Sequence, residues 1–443
     1  MKSNIHGSRL PRFQYRLGFR QILGLVTTFL VAIALIFILL RKPVTLSFVV
    51  PNREAEQWQP LIEEFHSKNR DIRINLTNFS QTNPEKPENT DQVKELYTAA
   101  FQKKRGKLPY DLIYQDIAWV PTFAEAGWLR DISDWISKEE LDKFLRSEVE
   151  AGRYQGKLYR IPFRTDVGVL YYRKDLLERV KENPPETFDD LIRISQNLQK
   201  QGIAWGYLWQ GSRSEAITAM FYEVLHGYGG FWIDPKTRVV GLDRPEALKA
   251  VEFLHNTIME GISPKGVTSY REDETRSLFT EGKAVFLRNW PDVWVQANAA
   301  DSFIRGKIDI KPMVHAAGYS SGACKGGWGF GIAQTTKHPK QAWKAIQFFT
   351  SAAAQRHFVL TMSFVPSRRT LFIDPQIIDK YSHYPKLLEI IDEYSILRPP
   401  IPEYGQASDI LQQYLWNALM GQQNPQAAMK AAAEQTRKLL ANG

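Results

Sequence analysis

A single cysteine, Cys324, in 443 residues excludes an intramolecular disulfide and any cysteine-based metal cluster. The eight histidines are scattered, without the spacing of a zinc site, and no phosphate-binding Gly-rich loop of the GxxxxGK[ST] type occurs. No cofactor and no metal are therefore expected. A repeat of solenoid period is absent as well. Acidic residues are missing from the first 43 positions, which hold seven basic ones: Lys2, Arg9, Arg12, Arg16, Arg20, Arg41 and Lys42. The formal charge of +9 is concentrated there, leaving 50 basic against 48 acidic residues in the rest. A body so balanced exerts no general pull on a polyanion, and no nucleic-acid partner is expected.

What those basic residues flank is an apolar run, Ile22 to Leu40, with no ionisable side chain. As a helix at ~1.5 Å per residue it would span roughly 28 Å, close to the ~30 Å hydrocarbon core of a bilayer. Five basic residues precede it and two follow, which favours a cytoplasmic N-terminus. A cleaved signal peptide would end in a small-x-small site; Arg41-Lys42-Pro43 stands there instead. The expectation is an uncleaved anchor helix over 22–40 behind a short cytoplasmic stub. It would hold the protein at the inner membrane with its body in the periplasm or equivalent extracytoplasmic space.

The remaining 400 residues exceed the usual size of one domain, so two are expected. Val44 to Val50 reads as a buried strand. Trp58, Leu61, Ile62 and Phe65 fall at helical spacing, and Ile72, Ile74 and Leu76 alternate as a second strand. That order implies a parallel pair with a right-handed crossover. A helix over 93–101 leads to a short strand, Asp111 to Tyr114, with a ligand-facing loop expected at its carboxyl end, residues 115–119. Val167 to Tyr172 reads as a strand, 187–201 and 214–228 as helices, and Asp243 with Glu246 as a cap for a helix ending at Met259. A strand over 284–289 and a helix over 291–299 follow, and the last hundred residues are mainly helical. The fold class is α/β. Gly318-Tyr319-Ser320-Ser321-Gly322 has the spacing of a serine-hydrolase elbow, but its Gly-rich continuation lacks the helix that motif requires and reads as a loop.

Five strings in order carry a family likeness. They are Phe123-Ala124-Glu125-Ala126-Gly127-Trp128-Leu129, then Tyr154 to Pro162 leading into Thr165-Asp166 and Leu170 to Leu176. Phe279 to Ala284 before Asn289-Trp290-Pro291, Gly326-Gly327-Trp328-Gly329, and Pro366-Ser367-Arg368-Arg369 complete the set. In this order they resemble the extracellular sugar-binding proteins of ABC importers, the maltose/trehalose-binding group, over most of residues 44–443. The resemblance implies a two-lobed periplasmic-binding-protein fold with discontinuous lobes and a hinge. Residues 44–160 with about 292–340 would form one lobe, and 161–291 with about 341–443 the other. It implies a monomer that captures a small sugar or glycosylated osmolyte in the cleft and passes it to ABC importer permease subunits, with no catalysis. Residue by residue it points to Asp116, Asp166, Trp290, Gly326, Gly327, Trp328 and Arg368, with Glu54, Trp119 and Glu215 as secondary candidates. Arg164-Thr165 departs from the pattern, because related proteins often show an aromatic there.

These residue types suit the binding of a sugar. Carboxylates accept hydrogen bonds from sugar hydroxyls and arginine donates to them, each bond strengthened by charge. Tryptophan faces cover the CH faces of a sugar, and paired glycines let backbone N–H groups approach. Two other readings use the same residues. A glycoside hydrolase could draw its carboxylate pair from Asp116 and Asp166. A sugar-sensing ectodomain would need a cytoplasmic output domain, and only about twenty residues precede the apolar run.

Overall fold

The computed structural model describes residues 27–28, 42–82, 90–102 and 110–442. The Ile22–Leu40 anchor expectation therefore falls almost wholly outside the described residues. Among those described, no helix is long and apolar enough to cross a membrane.

The chain opens with β1 (Val44–Val50), α1 (Ala55–Lys68) and β2 (Ile72–Asn78), followed by α2 (Thr90–Gln102) and β3 (Leu112–Asp116). β1 and β2 pair in parallel, as the helix between them requires. Trp58, Leu61, Ile62 and Phe65 form the buried stripe of α1. β4 (Ile161–Val167) and β5 (Val169–Arg173) then carry the chain into a second sheet. Its elements are α3 (Phe188–Lys200), β6 (Trp205–Leu208), α4 (Glu215–Gly227), α5 (Pro245–Met259), α6 (Glu272–Thr280), β7 (Ala284–Asn289) and β8 (Ile308–Lys311). The strand order there is β8-β5-β7-β6. β9 (Ala323–Ile332) returns to the first sheet, pairing antiparallel with both β3 and β4. After α7 (Pro339–Phe349) and α8 (Ala352–Met362), β10 (Val365–Pro366) pairs with β4. The chain ends in α9 (Tyr384–Tyr394), β11 (Ser395–Ile396), α10 (Tyr404–Leu419) and α11 (Pro425–Asn442).

Two of the expected local signals resolve differently. Val167 to Tyr172 is not one strand: Gly168 breaks it, its N–H bonding to Cys324 O at 3.1 Å. Asp243 does not cap α5, whose N-terminus at Arg244 has no side-chain cap; its carboxylate instead binds Arg437 of α11 at 2.6 and 2.8 Å. The cap of α3 is reciprocal, Thr187 and Asp190 each accepting the other's N–H.

The apolar side chains separate into a first core around Trp58 and a second body containing the other two clusters. Trp58 lies 4.7–5.7 Å from the rings of Phe163, Phe330, Phe349 and Phe358, so α7 and α8 belong to the first core. Ile304, Ile308, Ile310 and Met313 pack in the second body. Beside the expected division, with 292–340 in one lobe and 341–443 in the other, the buried apolar residues of 293–323 lie in the second body's clusters, and those of 342–364, Val359 excepted, in the first core.

Three neighbouring strands pass between the cores. On β4, Ile161 and Phe163 lie in the first core and Val167 in the second body; on β9, Phe330 and Ala323 are divided likewise; Phe364 and Val365 are split at β10. Beneath this ribbon lies Glu148, on the short helix Arg146–Glu150. It is fully buried with Arg160 at 3.0 Å and Lys325 at 3.2 Å, both also fully buried, and it accepts the Thr165 hydroxyl at 2.7 Å. Burial pulls the Lys325 pKa down, and Glu148 works against that pull. Gly327 (φ 141°) is required here, because a Cβ would come within 2.8 Å of a Glu148 oxygen and 2.9 Å of Arg164 O.

Removing one member of such a cluster leaves buried charge uncompensated. Glu148→Gln is expected to lower the unfolding free energy by about 3–5 kcal/mol in urea denaturation. A loss under about 1 kcal/mol would mean that water or rearrangement already screens Arg160 and Lys325.

Candidate functional site

A cleft of about 670 Å³ opens between the two cores. It lies at the carboxyl ends of β3 and β7, where an α/β sheet leaves side chains and loops free to meet a ligand. The first core contributes Asp116, Trp328 and Phe364; the second contributes Glu215, Glu272, Arg276, Trp290 and Asp292. Arg164, Asp166, Gly326 and Gly327 of the crossing strands form its floor, and Arg398 closes one end.

Each charged group of the floor arrives already matched. Asp116 caps the turn Ile117–Trp119, one carboxylate oxygen accepting Ala118 N–H at 2.9 Å and Arg398 Nη2 at 3.0 Å. The other guanidinium nitrogen of Arg398 reaches Glu215 at 2.6 Å, so one arginine joins a carboxylate of each core. Burial works against the charge on Arg398, yet Tyr404, Asp116 and Glu215 together push its pKa up. Glu215 also accepts Ser408 Oγ at 2.6 Å and the Tyr404 hydroxyl. Arg164 holds Asp166 at 2.7 Å and the fully buried Glu54 at 3.5 Å. Its guanidinium lies 4.5 Å above the Phe364 ring and 5.6 Å from Trp328. A planar cation thus occupies the aromatic's place noted in the sequence. Trp290 donates its indole N–H to Glu272 at 3.3 Å, and Gly326 leaves room for the indole and for Asp166: a Cβ would sit 3.5 Å from one and 3.2 Å from the other.

Seven sequence candidates therefore meet in the cleft: Asp116, Asp166, Glu215, Trp290, Gly326, Gly327 and Trp328. Three do not line it. Arg368 is buried elsewhere, donating to Thr350 O at 2.7 Å and Glu140 at 2.6 Å over the ring of Phe144, where it pins the loop after β10. Trp119 is a core residue, 5.2 Å from Trp328 and 5.9 Å from Phe123. Glu54 stands behind Arg164. Trp328 itself is better packed than its glycine-rich neighbourhood suggested, lying 5.1 Å from Tyr114 with only 7% of its surface exposed. Sequence reasoning missed Arg398, Arg276 and Glu272 as lining residues. The signal for Arg398 was present: an arginine directly before Pro399-Pro400, where the chain leaves a strand and cannot yet start a helix.

Asp116 and Asp166 are each held on a guanidinium, of Arg398 and Arg164 respectively. Among the described residues no group of three or more His, Cys, Asp or Glu is arranged to hold a metal ion.

A family profile described as bacterial extracellular solute-binding protein matches residues 52–356. A probable ABC transporter-binding protein of Deinococcus radiodurans is 27% identical over 366 residues, 81% of this chain and 86% of that one. The maltotriose-binding protein of Pyrococcus abyssi is 28% identical over 336 residues, 74% of this chain and 66% of that one. The solved structure of maltose-bound T. maritima MalE3 superposes with a TM-score of 0.80 at 30% identity, covering 90% of this chain and 99% of that one.

Beside the cleft, Asp91 of α2 accepts the Glu215 N–H at 3.4 Å across the seam between the cores. Burial first, then the Glu215 and Asp409 carboxylates, raise its pKa to about 6, with Lys94 opposing. Since this exceeds the unfolded value, the folded state binds the extra proton. The stabilisation is full below about pH 4 and is lost as the pH rises through about 6. Urea midpoints should show a loss of about 1 kcal/mol from this group between pH 5 and 8, absent in Asp91→Asn. Equal pH slopes in the two proteins would remove Asp91 as the source.

Proposed function

Because the chain belongs to the bacterial extracellular solute-binding protein family, we propose that its cleft captures a neutral sugar, or a sugar-like osmolyte, outside the cytoplasm and delivers it to an ABC importer. One observation carries the ligand class. Three of the four arginines that line the cleft are paired within the protein: Arg164 with Asp166, Arg398 with Asp116 and Glu215, and Arg276 with Asp292 at 3.4 Å. What remains for a ligand is a dense set of charge-assisted donors and acceptors, carboxylates outnumbering guanidiniums, beside Trp290 and Trp328. A polyhydroxyl compound uses such a field fully, its hydroxyls donating to the carboxylates and accepting from the guanidiniums. The ligands named for two relatives, maltose and maltotriose, are of this class. Family members are binding proteins, which agrees with a role without catalysis.

The lobes implied by the sequence correspond in this reading to the two packed bodies, with the β4–β9–β10 ribbon as the hinge. Asp116, Asp166 and Trp290 are the proposed ligand contacts, joined by Arg164 and Arg398. Anchoring of the body to the membrane rests on the Ile22–Leu40 run and its basic flanks. Fractionation with N-terminal sequencing tests it: a membrane-bound chain that keeps residues 1–43 is expected, and a soluble form starting near residue 44 would remove the anchor.

Ligand identity is tested by thermal shift with maltose, maltotriose and trehalose on residues 44–443. A ligand at 100 times its Kd adds about 2.7 kcal/mol. Asp166→Asn is expected to weaken binding about tenfold in calorimetry, by trading a charged for a neutral acceptor. Trp290→Ala is the cleaner test of stacking, since truncating the packed Trp328 would also cost about 3–5 kcal/mol of stability. Absence of stabilisation by all three sugars, or wild-type affinity in both variants, would refute this assignment.

A further inference from the structure

Trp290 reaches the cleft from the end of β7, and two residues earlier on the same face of that strand stands Arg288. The Arg288 guanidinium carbon lies 4.3 Å from the centre of the Trp290 ring. Arg288 is fully buried and gripped from three sides. Its Nε and Nη2 donate to the two oxygens of Glu223 at 2.7 and 2.6 Å, and its Nη1 donates to Gln210 at 3.1 Å. The Gln210 amide donates in turn to Arg288 O at 2.8 Å and to Thr275 at 2.9 Å. Glu223, also fully buried on α4, makes one more bond: an oxygen of its carboxylate accepts the Cys324 N–H of β9 at 3.0 Å. Two residues on, β9 supplies Gly326 to the cleft. Gly168 is the space that admits the pair, for a Cβ there would fall 1.8 Å from a Glu223 oxygen and 2.5 Å from Arg288 Nη2.

Stability alone is a poor reason for this arrangement, because apolar residues of similar volume commonly do as well at a buried site. What a bidentate carboxylate–guanidinium fork supplies and leucines do not is a fixed plane. Resting on the reading of Trp290 as a ligand face, we propose that Glu223 and Arg288 are positioning residues for recognition. They set the plane and depth of the Trp290 indole and hold β9, through Cys324, in register with it. Neither touches the ligand. A stacking face must be held within about 0.5 Å and 10–20° to contribute fully, and the guanidinium lies against this ring while its indole N–H is held by Glu272.

The test uses full-length protein labelled with 5-fluorotryptophan, in which the Trp290 resonance is identified by its loss in Trp290→Phe. The double variant Glu223→Leu with Arg288→Leu fills the volume and leaves no unpaired charge. In it the Trp290 fluorine resonance is expected to shift and broaden or split, with the melting transition retained and maltose affinity lowered at least tenfold. Arg288→Lys keeps the charge but loses the fork; it should disturb the same resonance to a smaller degree, and it serves alone should the double variant fail to fold. A wild-type Trp290 resonance in a folded variant overturns the proposal, and so does a moved resonance with undiminished maltose affinity. Should maltose fail to bind the wild-type protein, that failure belongs to the ligand assignment, and the resonance decides the positioning role by itself.

Discussion

Arg160 and Lys325 share the carboxylate of Glu148 beneath the strands that join the two bodies, and all three are sealed from water. Three charges in so little space are tolerated only when each has a partner at contact distance. The partners come from three separate stretches of chain: a short helix, the start of β4 and the first half of β9. Satisfying the cluster therefore fixes where those stretches meet. The cleft floor is built directly on top, because Arg164, Asp166, Gly326 and Gly327 are the neighbours of the residues that the cluster holds. Glycine at 327 follows from the same constraint, since the Glu148 carboxylate occupies the space of a side chain.

The cleft repeats the theme with partial exposure. Arg164 and Arg398 each bind more than one carboxylate, and Arg398 does so across the seam. Such pairs hold acceptors still while leaving part of their hydrogen-bonding capacity free, which is the preorganisation that binding demands. The aromatic surfaces are unequal. Trp328 is largely a core residue, whereas Trp290 is mounted on polar groups.

Elements set by short-range pattern were legible in the sequence. The amphipathic spacing of α1 and the β-branched run of β1 both state their structure locally. For Arg368, motif context does not say which way a side chain turns after a two-residue strand; here it donates to the carbonyl of Thr350 and the carboxylate of Glu140. Trp119, an aromatic next to a candidate site residue, packs inward. The division of the chain between bodies is hard to read from sequence because strands β4 and β9 contribute to both cores. No composition change marks the point at which a continuous strand leaves one core for another. Arg398 lies some 280 residues from Asp116, its partner, and only the fold brings them together.

The ribbon of β4, β9 and β10 has a mechanical meaning. Its strands are cross-linked to one another by ladder hydrogen bonds, as their paired registers show, and at ~4.8 Å between neighbours the ribbon is wider than it is thick. Such a strip behaves as a leaf spring: it flexes easily out of its own plane and resists shear within it. If the ribbon is the hinge, motion of one body against the other would be confined to a single bending direction. The halves of the cleft would then part and meet again without sliding past each other, and the groups of Asp116 and Trp290 would return to the same alignment each time.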